Sequence, residues 1–136
     1  MKLIKKSALA IVKGNKLLVV KPYDSTYFLM PGGKPKEGES EVAALKREIM
    51  EELSCGIYES SLAKLGTFED VAAATDARVS IDLFEGKLKG TPRPSSEVEE
   101  LKWISAAEAQ EANNDKISPI IKNKIVPFLV ERKMLV

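Results

Sequence analysis

Apolar residues follow two different spacings along this chain, and each change of spacing marks an element. From Ser7 to Val12 and from Lys16 to Val20 they run almost unbroken, interrupted by Lys13-Gly14-Asn15. Two β-prone runs around such a turn predict a hairpin. Tyr27–Met30 reads as a short strand delivering the chain to Pro31, and Leu62–Phe68 reads as another. From Arg78 to Leu88 the pattern alternates. Val79, Ile81 and Leu83 fall on one face and Ser80 and Asp82 on the other, which predicts a half-buried strand. Leu101–Ile104, carrying Trp103, is a brief strand after the loop Gly90–Ser96.

Helical spacing governs three other stretches. Between Glu41 and Leu53 there is no Gly or Pro, and strong helix formers dominate. Val42, Leu45, Ile49 and Leu53 fall on one stripe at about 100° per residue, so that stripe should be buried. Ser40 is the expected N-cap, and Glu41 puts negative charge where the helix dipole favours it. Ser105 and Glu108 form a capping box that starts a short helix. Ser118-Pro119 opens the last helix with Pro at its favoured first position, and Pro127 should kink or divide that helix. The apolar stretch Ile117–Val136 either caps the core or joins a dimer contact, so the chain is expected as a monomer or a homodimer. This order of elements is α+β: a mixed sheet with a helix or two on its faces. The length of 136 residues suits one domain, 1–136, with its own core.

Composition narrows the function classes. A net charge of +1 gives no overall field toward nucleic acid or membrane, so any preference for anions must be local. The chain has no His and one Cys, which rules out a nitrogen- or sulfur-rich zinc site. Cys55 cannot form an internal disulfide, fits a reducing cytoplasm, and is read as a small buried apolar residue. No apolar run reaches transmembrane length. The basic-then-apolar start, MKLIKKSALAIVKGNK, continues as a strand pattern rather than as a signal peptide.

The chemistry concentrates in Pro31–Cys55, PGGKPKEGESEVAALKREIMEELSC. A Gly-Gly turn lets backbone approach a ligand closely. It is followed by Glu39 and then by a helix bearing Arg47, Glu48, Glu51 and Glu52. Glu48 is three residues from Glu51 and four from Glu52, so the three carboxylates are neighbours and repel. Arg47 can pair with Glu51 but cannot neutralise the whole set. A hard divalent cation can: carboxylate oxygens suit Mg²⁺, Mn²⁺ or Ca²⁺, and Mg²⁺ characteristically combines a few carboxylates with substrate phosphates.

These residues resemble the Nudix box, whose pattern is G, five residues, E, seven residues, then R-E-U-x-E-E-x-G-U with U bulky and apolar. Gly33, Glu39, Arg47, Glu48, Ile49, Glu51 and Glu52 fall in place. Ser54 stands where the box has its second glycine, Cys55 takes the closing apolar position, and Gly56 follows. The expectation is a helix that runs slightly long and stops at Gly56.

The resemblance implies the Nudix fold, an α/β/α sandwich around a mixed sheet. It implies a hydrolase that cuts the diphosphate linkage of a nucleoside diphosphate derivative with Mg²⁺, or Mn²⁺ in its place. By position, Glu48, Glu51, Glu52 and the Gly32 carbonyl would ligate metal. Glu97, from the acidic segment before Trp103, would add one more carboxylate. Glu48 would be the base that takes a proton from the attacking water, oriented by Arg47, with Glu52 and Glu97 as alternatives. Lys21 and Lys34 could offer charge to phosphates, or be surface lysines. Glu39 would organise the loop. Tyr27, Phe28, Phe68 and Phe84 could stack on a base, but each is better read as core. Side-chain patterns of coenzyme-A, NADH and ADP-ribose members are absent, which leaves small (deoxy)nucleoside triphosphates as the leading substrates. Two rivals stand beside this reading: a nucleotide-binding module without hydrolysis, and an RNA-end pyrophosphohydrolase. No basic stripe interleaved with aromatics supports extended nucleic-acid contact.

Overall fold

The computed structural model describes residues 2–73, 75–111 and 116–136. Two sheets lie between two groups of helices. The larger sheet is mixed and runs β4-β1-β7-β6. Here β1 is Leu3–Ala10, β4 is Gly32–Gly33, β6 is Ala63–Val71 and β7 is Arg78–Glu85. β1 and β7 pair in parallel from Leu3↔Arg78 to Ala10↔Glu85, while the β1–β4 and β7–β6 pairs are antiparallel. The second sheet, β2-β3-β9, is antiparallel. It is built from Val12–Lys13 (β2), Lys16–Pro22 (β3) and Val98–Ile104 (β9). Gly56–Ile57 (β5) and Leu88–Lys89 (β8) form a small ribbon.

The expected hairpin exists, but only its tip pairs as expected. Val12 and Lys13 face Leu17 and Lys16 around Gly14 and Asn15, both at positive φ (58° and 60°). Two left-handed central residues are what a tight hairpin turn requires. The rest of the first run leaves the hairpin at Ile11 and becomes β1 of the other sheet. The near-continuous apolar runs follow from this, because both strands are covered on both faces. Ala8, Ala10, Leu17 and Val19 enter one core, and Leu9, Ile11, Leu18 and Val20 enter the other. Tyr27–Met30 is not a strand. It makes only isolated bridges, Val20↔Leu29 and Phe28↔Ile117.

Helix α1, Glu41–Leu53, closes one core with Leu45, Ile49 and Leu53. Cys55 is buried beside them. The other core is closed by α2 (Ala106–Gln110) and by the C-terminal segment. The capping box forms as expected: the Ser105 hydroxyl accepts from Glu108 N–H, and the Glu108 carboxylate accepts from Ser105 N–H. Pro127 divides the last helix. A π-helical turn, Ile121–Ile125, precedes α3, Val126–Glu131. Proline has no N–H to return to the preceding turn and its ring crowds the carbonyl there; a widened turn relieves both. Ile120, Ile121, Ile125, Val126 and Leu129 are buried, so this segment caps the core. Among the described residues, no helix is long and apolar enough to cross a membrane.

Candidate active site

The site is built where α1 meets β4. Ser40 caps α1 by accepting from Ala43 N–H at 3.1 Å. At the far end the helix stops at Leu53, not at Gly56. Ser54 takes the left-handed conformation itself, with φ 53° and ψ 37°. Its N–H still bonds to Met50 O at 3.0 Å. The box glycine position therefore keeps its backbone geometry without its glycine. The last carbonyls of α1 are satisfied from outside: Arg93 N–H donates to Leu53 O at 3.0 Å and Ser95 N–H to Glu52 O at 3.1 Å. This ties the loop that leads to Glu97 onto the end of the helix that carries Glu52.

Both glycines of β4 lie in close contact with their surroundings. Gly32 has φ 143°, and a Cβ there would lie 2.1 Å from Ser7 O of β1. A Cβ on Gly33 would lie 2.4 Å from the carboxyl carbon of Glu48. The helix carboxylates are thus packed directly on backbone. Glu52 Oε1 accepts a hydrogen bond from Gly32 N–H at 3.0 Å. Burial of this carboxyl outweighs that bond, and the charges of Glu48 and Glu51 add to the effect, so its pKa is pushed up to about 8.

Arg47 organises the acidic helix face. It holds Glu39 with both ends of its fork, Nε to Oε2 and Nη2 to Oε1, each at 2.9 Å. It also donates from Nη1 to Glu48 Oε1 at 2.7 Å and from Nη2 to the Lys34 carbonyl at 3.2 Å. Glu39 in turn accepts from Lys36 N–H at 2.9 Å. The Arg47 hydrogen bonds and then the Lys36 amide hold the Glu39 carboxyl down at about 2, and the same carboxylates raise the pKa of Arg47. Glu39 is thus the clasp of the loop and not part of the carboxylate set around Gly32. Glu51 is exposed, with Oε2 3.5 Å from Arg47 Nη1.

The remaining sequence candidates divide. Glu97 is exposed, and its carbonyl accepts from Tyr23 N–H at 3.0 Å. Its side chain lines a groove with Tyr23, Asp24 and Ser96. The Lys21 ammonium pairs with Glu99 on the neighbouring strand and donates to Ser25 O at 3.1 Å. Lys34 is exposed, and its charge is felt by Lys6. Phe28 and Phe84 are core residues, and Phe68 packs edge-on against Phe128 at 4.9 Å.

Lys6 is the site residue that the pattern of the chain did not single out. It lies on β1 beside β4, half-buried, within reach of the charges of Glu52 and Glu48. Burial lowers its pKa, with Lys34 adding to the fall and the two glutamates opposing it. Adjacent Lys5 and Lys6 look alike in sequence. The alternation Ile4-Lys6-Ala8 was the available signal that Lys6, and not Lys5, shares a face with core residues. Lys6 and Gly32 also line a largely apolar cavity of ≈ 170 Å³, together with Met30, Val79, Ile81 and Ser118.

The donor set fits a hard metal. Glu48 and Glu52 lie against Gly32–Gly33, Glu51 is one turn away, and Lys6 is the cation set among them. Among the described residues no three His, Cys, Asp or Glu side chains converge on one point. Mg²⁺ does not need them to, because it usually takes one or two carboxylates and completes its shell with water and phosphate oxygens.

Comparison with known proteins agrees with this geometry. The NUDIX domain family model matches residues 4–124. The fold is shared with a MutT protein from Methanosarcina mazei Go1, at 19% identity over 97% of this chain and 96% of that one, TM-score 0.77. It is also shared with the E. coli ORF135 protein, at 23% identity over 98% and 94%, TM-score 0.72. The Bacillus subtilis pyrophosphohydrolase BsRppH is similar at 18% identity over 96% and 81%, TM-score 0.69. No curated protein matches the chain. With the family model spanning nearly all of it and the box carboxylates set against the Gly-Gly strand, the chain belongs to the Nudix family and is a pyrophosphohydrolase of phosphorus anhydrides.

Proposed function

We propose that the chain is a Mg²⁺-dependent hydrolase, with Mn²⁺ able to substitute, that cuts the diphosphate linkage of a small (deoxy)nucleoside triphosphate. The observation that carries this reading is the packing of Glu48 and Glu52 onto Gly32–Gly33. It places two carboxylates and a close-approach backbone at one spot, with a carboxyl that burial leaves short of compensation. Glu48, Glu51, Glu52 and the Gly32 carbonyl would hold the metal, and Glu97 would add a carboxylate from the loop bonded to the end of α1. A bound divalent ion neutralises phosphate oxygens and acidifies a water.

The chain's own residues do the rest. Arg47 fixes one oxygen of Glu48 and leaves the other free to take the proton of the attacking water. Glu39 holds Arg47 in place from the opposite side. Lys6, which lines the apolar cavity and feels the charges of Glu52 and Glu48, would offer charge to the phosphates alongside Lys21 and Lys34. The cavity beyond it receives the organic end of the substrate.

A panel of ribo- and deoxyribonucleoside triphosphates with Mg²⁺ or Mn²⁺, read by phosphorus NMR, tests this reading. The expected products are a nucleoside monophosphate and pyrophosphate. Binding without turnover of any member would instead establish the binding-module reading. All box carboxylates are present, and that module would have no use for them.

A further inference from the structure

We infer, building on the hydrolase reading, that Glu41 is a positioning residue for the reaction: seated on the buried Ser7 hydroxyl and on Asp82, it sets where Glu48 stands over Gly33. Three observations carry this. The first is a row across the larger sheet. Gly33 pairs with Ser7, Ser7 with Asp82, and Asp82 with Thr67, so one residue from each of the four strands lies on a single line. Directly paired residues share a face of the sheet, and this face looks toward α1. At the Gly33 end, the missing side chain leaves the space that the Glu48 carboxyl fills. One strand along, the Ser7 hydroxyl donates to Glu41 Oε2 at 3.4 Å. At the far end, Thr67 Oγ1 donates to Asp82 Oδ1 at 2.6 Å. The Lys64 ammonium stands 3.6 Å from Glu41 Oε1 and 3.4 Å from Asp82 Oδ1.

The second is spacing. Glu41 and Glu48 are seven residues apart, about 10.5 Å along the helix and within about 20° of two full turns. They project from the same side of α1. Asp82 and Gly33 are two strands apart, about 9.6 Å. The rise of the helix thus matches the step across the sheet. Glu41 can sit at Ser7 and Asp82 while Glu48 sits on Gly33. Leu45 and Ile49, on the intervening turns, are fully buried and hold this stretch of helix to the sheet. A slide or roll of α1 that moved Glu48 would break the contacts at Glu41.

The third is burial. Ser7 is 1% exposed, and the side-chain bond its hydroxyl makes is to Glu41. A buried hydroxyl that loses its acceptor destabilises the arrangement that strands it, which gives this contact a direction. Burial opposes ionisation of Asp82, but hydrogen bonds with Thr67 and Glu41 and the charge of Lys64 overcome it and lower its pKa. The half-exposed ion pairs of Lys64 add little by themselves. Arg47 aims the Glu48 carboxylate from the loop side, and Glu41 sets the helix that carries it from the sheet side.

Two conservative variants test this, because they separate reach from charge. Glu41→Asp keeps the negative charge in the first turn but is one methylene too short to reach Ser7 and Asp82 together. Glu41→Gln loses the charge but keeps the length, an oxygen for the Ser7 hydroxyl and N–H groups for Asp82. Both should melt within a few degrees of wild type. Calorimetry with Mg²⁺ alone, on the substrate-free protein, should show Glu41→Asp binding about three- to tenfold more weakly and Glu41→Gln within about twofold of wild type. At saturating Mg²⁺, Glu41→Asp should lower kcat about tenfold with KM within about twofold, and Glu41→Gln should keep kcat within about threefold. A charge or helix-dipole role predicts the reverse order, with Gln the worse variant, and that order would overturn the inference. So would Mg²⁺ affinity that is the same in all three proteins, or a wild-type kcat in Glu41→Asp. Weakened Mg²⁺ binding in Glu41→Asp, kept in Glu41→Gln, with no triphosphate cleaved by the wild type, would support the seat and remove the hydrolase reading, so the two failures are distinct.

Discussion

Glu52 rests its carboxylate on the backbone N–H of Gly32, 3.0 Å away and twenty residues earlier in the chain. This contact joins the helix of the box to its glycine strand. The bond lowers the pKa of the carboxyl, but desolvation first, and then the charges of Glu48 and Glu51, push it up to about 8.

The stability consequence has a definite sign. A carboxyl whose folded pKa exceeds its unfolded value of about 4.5 is bound to a proton more tightly in the folded state. Its ionisation therefore destabilises the fold progressively from about pH 4.5 to about pH 8 and no further above that. Urea unfolding of the metal-free protein at pH 6 and pH 8.5 should show a loss on the order of 2–4 kcal/mol from this group. Glu52→Gln should abolish most of that loss. Saturating Mg²⁺ should also reduce it, since a cation replaces the proton. An equal loss in wild type and Glu52→Gln would assign the pH dependence elsewhere.

The two glycines of β4 should respond differently to alanine. At Gly32 the new methyl would meet Ser7 O, a backbone atom of the paired strand, at a φ that L-residues avoid. Gly32→Ala should cost about 2–4 kcal/mol of stability. At Gly33 the clash is with the mobile end of Glu48. Gly33→Ala should fold nearly as well as wild type but lose activity, on the order of 10²-fold, because the side chain it displaces is the proposed base. Melting curves and kcat measured on both variants separate these effects.

Ser54 offers a gain. It sits at φ 53°, a conformation that costs a residue with a Cβ about 1–2 kcal/mol relative to glycine. Ser54→Gly should raise the melting temperature by a few degrees and leave kcat unchanged. A lowered melting temperature would mean that the serine contributes an interaction of its own.

The box helix was legible because its periodicity, its cap at Ser40 and its charged face all agree, and the fixed spacing from Gly33 to Glu52 identified the family. The continuous apolar runs were legible as buried strands. Their pairing was not, because a run covered on both faces carries no mark of its partner; the break at Ile11 that sends one run into two sheets leaves no trace in hydropathy. Ser54 misled because the left-handed conformation is written in the backbone and glycine is only its commonest occupant. The ion pair of Lys21 was not legible because its partner, Glu99, is supplied by a strand seventy-eight residues away. Lys6 went unnoticed for a like reason: the cavity it lines is assembled from β1, the β6–β7 region and the start of the last helix, and no single segment contains it.

The central claim is that Glu48, aimed by Arg47 and packed on Gly33, acts on the attacking water beside a hard metal. The Mg²⁺-saturated kcat of Glu48→Gln against wild type, on whichever triphosphate the panel selects, tests it most directly. The account predicts a melting temperature within a few degrees of wild type and a kcat lower by about 10²–10⁴-fold. A folded Glu48→Gln enzyme turning over at the wild-type rate would contradict it.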